Sequence, residues 1–210
     1  MKLVIVIRGL YATEHQLSRL PDALPDVGVT FVDTQGVGTT IEALVVHYEA
    51  AFADFEKFVV IGVSLGGLVA LGLRCKGLIG VLALDPPIRP ADDQILAQQC
   101  LVRGDPLATA LLADRDYLPL IDPPCTTVVL AGEHGAISDE TLASANRLGV
   151  RVVRVAGVGH DITRGASDLV VAEIQDLLGA KPQQLDEHST LPTRSSGRTR
   201  ASPTGSTPSG

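Results

Sequence analysis

One stretch constrains the fold of this chain more than any other: Val59-Val60-Ile61-Gly62-Val63-Ser64-Leu65-Gly66-Gly67-Leu68-Val69-Ala70. A β-branched run stops at Gly62, a serine follows two residues later, and an apolar helix-forming segment begins at once. A strand that becomes a helix within two residues must turn sharply. Glycines two positions before and two after the serine remove the side chains that would collide there, and the turn carries the serine hydroxyl clear of the sheet. Ser64 is therefore the candidate nucleophile. Chance placement supplies roughly 0.1 matches to Gly-x-Ser-x-Gly in a chain of this length and composition, so the surrounding sequence must decide.

That surrounding sequence alternates. Strands are predicted over Leu3–Ile7, Val27–Val32, Lys57–Val63, Leu78–Leu84, Thr126–Ala131 and Val150–Val155. Between them, Thr13 is expected to cap a helix through His15–Leu20 that Pro21 and Pro25 close, and Thr39 or Thr40 opens an amphipathic helix over Ile41–Phe55. Further helices are predicted over Leu65–Arg74, around Asp139–Leu148, and over Ser167–Leu178. Hydrophobic residues make up 45% of the chain but aromatic ones only 3%, so the core must be aliphatic. Strands buried on both faces of a parallel sheet read this way. The expectation is a doubly wound, mostly parallel six-stranded α/β sheet with helices on both faces. Ligands of such sheets bind outside the carboxyl ends of the strands, where the strand order reverses. If the first strand lies between the second and third, the Arg8-Gly9-Leu10-Tyr11 turn and Ser64 are neighbours across that point.

Two segments stand apart. Residues 88–121, bracketed by Asp85-Pro86-Pro87 and Asp122-Pro123-Pro124, carry helical pattern and are expected to form a small lid on a domain spanning residues 1–180. Residues 181–210 are rich in Pro, Ser, Thr, Gly and Arg and have almost no apolar residues to offset ordering entropy, so a disordered tail is expected.

The net charge of −7 argues against nucleic acid as a partner, because phosphate binding needs a basic footprint. Cys75, Cys100 and Cys125 form neither an even disulfide set nor a close metal-ligand pair, which suits a reducing, cytoplasmic compartment. The apolar run at the N-terminus ends too early for a signal-peptide core. The longest apolar stretch falls short of the ~20 residues that span a bilayer. No cofactor is expected.

A serine hydroxyl needs a base to attack at neutral pH. His160, in Gly157-Val158-Gly159-His160-Asp161, follows the last strand directly and is the best candidate, since His15 and His47 fall within predicted helices and His188 in the tail. With Gly62–Gly67, Gly159-His160-Asp161 and the Asp33–Thr39 turn, which is similar to an Asp-x-x-Gly-x-Gly-Ser pattern, the chain resembles an α/β-hydrolase from its start to about Gly179. The order of serine, acid and histidine agrees with that family. The resemblance implies an oxyanion hole built from the backbone N–H groups of Leu65 and Leu10, with Arg8-Gly9-Leu10 where the family often has His-Gly-x, and Tyr11 lining the pocket mouth. It also implies a serine esterase or thioesterase acting on a small-molecule acyl substrate.

Two departures from the family pattern stand out. The N-terminal antiparallel hairpin is missing, and the expected Gly-x-x-Asp after the fifth strand reads Gly132-Glu133-His134-Gly135. Three carboxylates are candidates for the missing acid. Glu133 is placed first, because two residues of displacement in an extended segment keep a side chain on the same face. Asp85, at the end of the fourth strand, comes second, although Asp before Pro-Pro is also an ordinary strand terminator. Asp139 is third, with helix capping the simpler explanation. A zinc site of Glu133, His134, His160 and Asp161 lacks a helical ligand spacing. The alternatives are a non-catalytic binding or accessory protein with an incomplete site, motivated by Gly135, and a nucleotide- or flavin-binding domain, which lacks the Gly-x-Gly-x-x-Gly spacing.

Overall fold

The structure, a computed structural model, describes residues 2–10, 17–34, 36–89 and 116–179. Six strands form one sheet: β1 (Lys2–Ile7), β2 (Val27–Val32), β3 (Phe58–Val63), β4 (Leu78–Leu84), β5 (Thr126–His134) and β6 (Arg151–Gly159). Every neighbouring pair is parallel and the order is β2-β1-β3-β4-β5-β6. β1 thus lies between β2 and β3, and the strand order reverses at the β1/β3 boundary. The ends of those two strands are Ile7, leading to Gly9, and Val63, leading to Ser64.

The period-2 alternation of side chains sorts β1 between two apolar layers. Ile5 and Ile7 point into one, with α2 (Ile41–Ala51), α3 (Leu65–Gly72) and α4 (Asp139–Arg147) packed over it. Val4 and Val6 point into the other, under α1 (Leu20–Ala23) and α6 (Ser167–Gly179). The cores hold mainly Val, Leu and Ile, and the largest fully buried side chain is Phe58. A short helix, α5 (Ile162–Gly165), precedes α6.

Helix starts follow their caps. Thr40 Oγ1 accepts the Ala43 N–H at 3.2 Å to open α2, and Ser138 Oγ accepts from Thr141 N–H at 3.3 Å to open α4. Three helix bounds differ from expectation, among them the end of α3, which stops at Gly72 rather than Arg74. Pro21, expected to end a helix, sits in the first turn of α1, where its missing N–H costs nothing. α2 stops at Ala51 rather than Phe55, because the chain tightens into turns there, with Ala53 N–H bonding Ala50 O and Phe55 N–H bonding Phe52 O. Phe52 is thereby turned inward, its ring 5.8 Å from that of Phe58.

β5 and β6 each run beyond their predicted ends, to His134 and Gly159, by pairing with one another across a register shift between Gly132 and His134. Gly157, at φ +69, provides the irregular step. Edge strand β6 carries Arg151 and Arg154, which pair with Glu173 on α6 and Asp139 on α4. Most of the expected lid, residues 90–115, lies outside the described residues, as does the tail. Its two ends are joined: Tyr117 N–H donates to Ile88 O at 3.0 Å, and Arg89 binds Asp116 through Nε at 3.1 Å and Nη2 at 2.9 Å. The Arg89 guanidinium holds the Asp116 carboxyl below its ordinary pKa. Among the described residues, no helix is long and apolar enough to cross a membrane.

Candidate functional site

The turn after β3 has the predicted form. Ser64 sits at φ 51, ψ −118, a conformation that side-chain-bearing residues rarely adopt and that typically costs 1–3 kcal/mol. Two bonds hold it there: Ser64 N–H donates to Leu84 O at 2.8 Å, and Ser64 O accepts from Gly67 N–H at 2.8 Å as α3 begins. The flanking glycines are required by contact. A Cβ on Gly62 would lie 2.2 Å from Gly66 O, and one on Gly66 would lie 2.2 Å from Ile7 O. The same close approach seats β1's end against the turn, since a Cβ on Gly9 would stand 3.3 Å from Ser64 Cβ.

His160 follows β6 and reaches Ser64 across the top of the sheet. Its Nε2 lies 3.0 Å from Ser64 Oγ, and its Nδ1 lies 2.7 Å from Asp85 Oδ2. A carboxylate only accepts, so Nδ1 carries the imidazole proton and Nε2 is left to accept from the serine hydroxyl. Asp85 is fully buried at the end of β4. Its Oδ1 accepts from Gly132 N–H at 3.1 Å and its Oδ2 from Ala136 N–H at 2.7 Å, so two backbone donors of the β5 loop fix the carboxylate. Its own backbone stands at φ 43, held by the bond from Asp85 N–H to Leu130 O at 2.8 Å.

Glu133, ranked first from sequence, does not approach His160 in this way. It is exposed, and its Oε2 accepts the Gly157 N–H at 2.7 Å. The reasoning from alternation fails because the segment does not stay extended: Gly135 N–H turns back to Gly132 O at 3.1 Å, and the face relation between positions 133 and 135 is lost. Gly135 is itself the clue. A Cβ there would stand 2.4 Å from Asp85 Oδ1, so the absent side chain at 135 leaves room for a carboxylate arriving from the neighbouring strand. Asp139 is exposed in the first turn of α4 and pairs with Arg154, while Ser138 is the cap.

Leu65 is the first residue of α3 and Leu10 the last described residue of the loop after β1; both side chains are buried. As a first-turn residue, Leu65 has an N–H that its own helix does not use. Tyr11 lies outside the described residues. Below the Asp33 turn, Tyr48 OH donates to Asp33 O at 2.5 Å, and burial, reinforced by the Asp33 charge, pushes the phenol pKa up. A cleft of about 630 Å³ opens between residues 17–23 and 161–171, with Asp161, next to His160, in its wall.

Comparison with solved structures places the fold. The chain superposes on N-formylmaleamic acid deformylase from Pseudomonas putida S16 with a TM-score of 0.65 and 13% identity, covering 81% of this chain and 91% of that one. The fold is that of the α/β-hydrolases. E-2-(acetamidomethylene)succinate hydrolase matches this α/β-hydrolase-fold chain with a TM-score of 0.64 and 15% identity, over 85% and 92% of the two chains. The thioesterase domain from the curacin biosynthetic pathway matches with a TM-score of 0.59 and 15% identity, over 83% and 90%. No protein-family model and no curated protein matches the sequence.

Proposed function

We propose that this protein is a serine hydrolase that cleaves a carboxylic ester or thioester through an acyl-serine intermediate. The observation that carries the reading is the continuous chain from Ser64 Oγ through His160 to buried Asp85. In this mechanism Ser64 Oγ attacks the acyl carbon while His160 Nε2 takes its proton. The C–O or C–S bond to the leaving group then breaks, and His160 returns the proton to that group. Water, deprotonated by His160, attacks the acyl-serine and releases the acid. Asp85 holds the imidazole in the productive tautomer and stabilises the imidazolium. The N–H groups of Leu10 and Leu65 are assigned to the developing oxyanion, each such donor typically contributing about 3 kcal/mol.

Support also comes from the neighbours, which by name include a thioesterase domain and a hydrolase, and from Gly135. The glycine that motivated a non-catalytic reading is compatible with a complete site once Asp85 supplies the carboxylate. The test is labelling by a fluorophosphonate. The purified protein is expected to gain one phosphonyl adduct, located on the peptide containing Ser64; an unlabelled protein, or an adduct elsewhere, would sink the proposal.

Glu133 has a different expected behaviour under this mechanism. Glu133→Gln keeps an oxygen acceptor for Gly157 N–H, and turnover of an activated ester is expected within about twofold of wild type. Glu133→Ala leaves that N–H to water and loosens the strand leading to His160, lowering stability by about 1 kcal/mol or less at this exposed site. Urea denaturation and initial rates measure both.

A further inference from the structure

We propose that Arg8 is a positioning residue, fixing the loop that presents the Leu10 N–H to the oxyanion; the inference rests on the serine-hydrolase reading of Ser64. Ile7 pairs with Val32, so Arg8 and Asp33 face each other one step past the ladder. Arg8 is gripped from several directions there. Its N–H donates to Val32 O at 3.0 Å, its Nη1 donates to Asp33 Oδ1 at 3.3 Å, and its Cζ stands 5.0 Å from the centre of the Phe31 ring. Phe31 on β2 and Asp33 just past its end are two residues apart, so the guanidinium reaches both. On the other side, the Arg8 carbonyl oxygen lies 2.8 Å from where a Cβ on Gly66 would be, against the first turn of α3. The next residue is Gly9, where a Cβ would stand 3.3 Å from Ser64 Cβ.

Stability does not explain the choice of arginine. The partner carboxylate is 64% exposed, so the ion pair is heavily screened. Meanwhile Arg8 Nε is buried without a hydrogen-bond partner among the described residues, a cost that lysine or methionine would avoid at this position. What arginine supplies uniquely is a rigid plane that stacks on Phe31 and pins Asp33 together. That clamp ties the end of β2 to the peptide immediately before Gly9. A loop held this way keeps its N–H aimed before the substrate arrives, and misplacement by about 1 Å is sufficient to cost about 10²-fold in rate.

The experiment uses the full chain and the variants Arg8→Met, Arg8→Lys and Asp33→Asn, with Arg151→Met as a control for losing an ion-paired arginine elsewhere. The readouts are the rate of fluorophosphonate labelling at Ser64, whose phosphonyl oxygen occupies the oxyanion position, and kcat and KM on an activated ester, both normalised to folded protein. Arg8→Met is expected to slow labelling and lower kcat by about 10–100-fold, with KM within about twofold. Arg8→Lys and Asp33→Asn should fall between it and wild type, and Arg151→Met should label at the wild-type rate. Labelling of folded Arg8→Met at the wild-type rate overturns the proposal, as does an equal slowing in Arg151→Met. If Arg8→Met does not fold, Arg8→Lys and Asp33→Asn decide: wild-type rates in both overturn it. A wild-type protein that no fluorophosphonate labels overturns the underlying reading and this one with it, which separates the two failures.

Discussion

Ser64→Ala is expected to reduce ester turnover by about 10⁶-fold while leaving the fold intact. The size of the effect follows from the serine's place in a unit. Without Oγ there is no atom to form the acyl intermediate, and neither His160 nor Asp85 retains a substrate-directed role. Under the proposed mechanism, what survives is binding and the donors assigned to Leu10 and Leu65, worth roughly 10³–10⁴ over water. The fold should survive because the Ser64 side chain makes no cap bond to α3 and, among the described residues, its hydroxyl bonds His160 alone. The half-exposed imidazole can turn its freed Nε2 to water, so no buried group is orphaned. Alanine and serine meet the same strain at φ 51, so stability is expected to stay within about 0.5 kcal/mol. Steady-state kinetics on a series of acyl esters of increasing chain length, with urea denaturation alongside, measures both quantities. A folded alanine variant retaining even a tenth of wild-type turnover would remove Ser64 from the chemistry.

The sheet was legible because its strands are buried on both faces and therefore written as β-branched runs; β2 and β4 begin and end where those runs do. The ends of β5 and β6 were not, because Gly132, Gly157 and Gly159 have little strand propensity and the pairing resumes, His134 with Gly159, only across a register shift after Gly132. The start of α1 was missed for a related reason. Pro21 reads as a terminator in isolation, and only the observed boundary shows it lying in a first turn. Around Ser64, a Cβ on Gly62 would collide with the turn itself, one on Gly66 with the end of β1 and one on Gly67 with Pro86 beyond β4, and the glycine spacing could be read directly. The placement of His160 beside Ser64 could be read from its position after the last strand. The carboxylate that contacts His160 could not be read in this way, because it depends on which strand end faces the β6 loop after the chain turns at Gly135. No periodicity in residues 132–135 records that turn. The only local trace is the missing side chain at 135, and it becomes informative once Asp85 is seen against it.

That dependence makes Asp85→Asn the sharper test, with an expected loss of about 10⁴ in kcat. The amide can sit in two ways, and both are unfavourable. With its NH₂ toward His160 it donates where the carboxylate accepted, so Nδ1 must give up its proton. The imidazole then carries hydrogen on Nε2 and cannot take the proton of Ser64. With its carbonyl toward His160 the tautomer is preserved, but the NH₂ is pressed against Gly132 N–H, donor against donor, in a fully buried site. Leaving that pair unsatisfied costs about 1–3 kcal/mol. Either arrangement also loses the negative charge that stabilises the imidazolium as it forms. Fluorophosphonate labelling of Ser64 should slow in parallel with kcat, because both need the same deprotonation. In contrast, the Glu133→Gln exchange removes a charge only one strand away and leaves every bond to His160 untouched. Collapse in Asp85→Asn with near-normal rates in Glu133→Gln assigns the acid to the end of β4; the reverse pattern would return it to the β5 loop and contradict the geometry at Gly135.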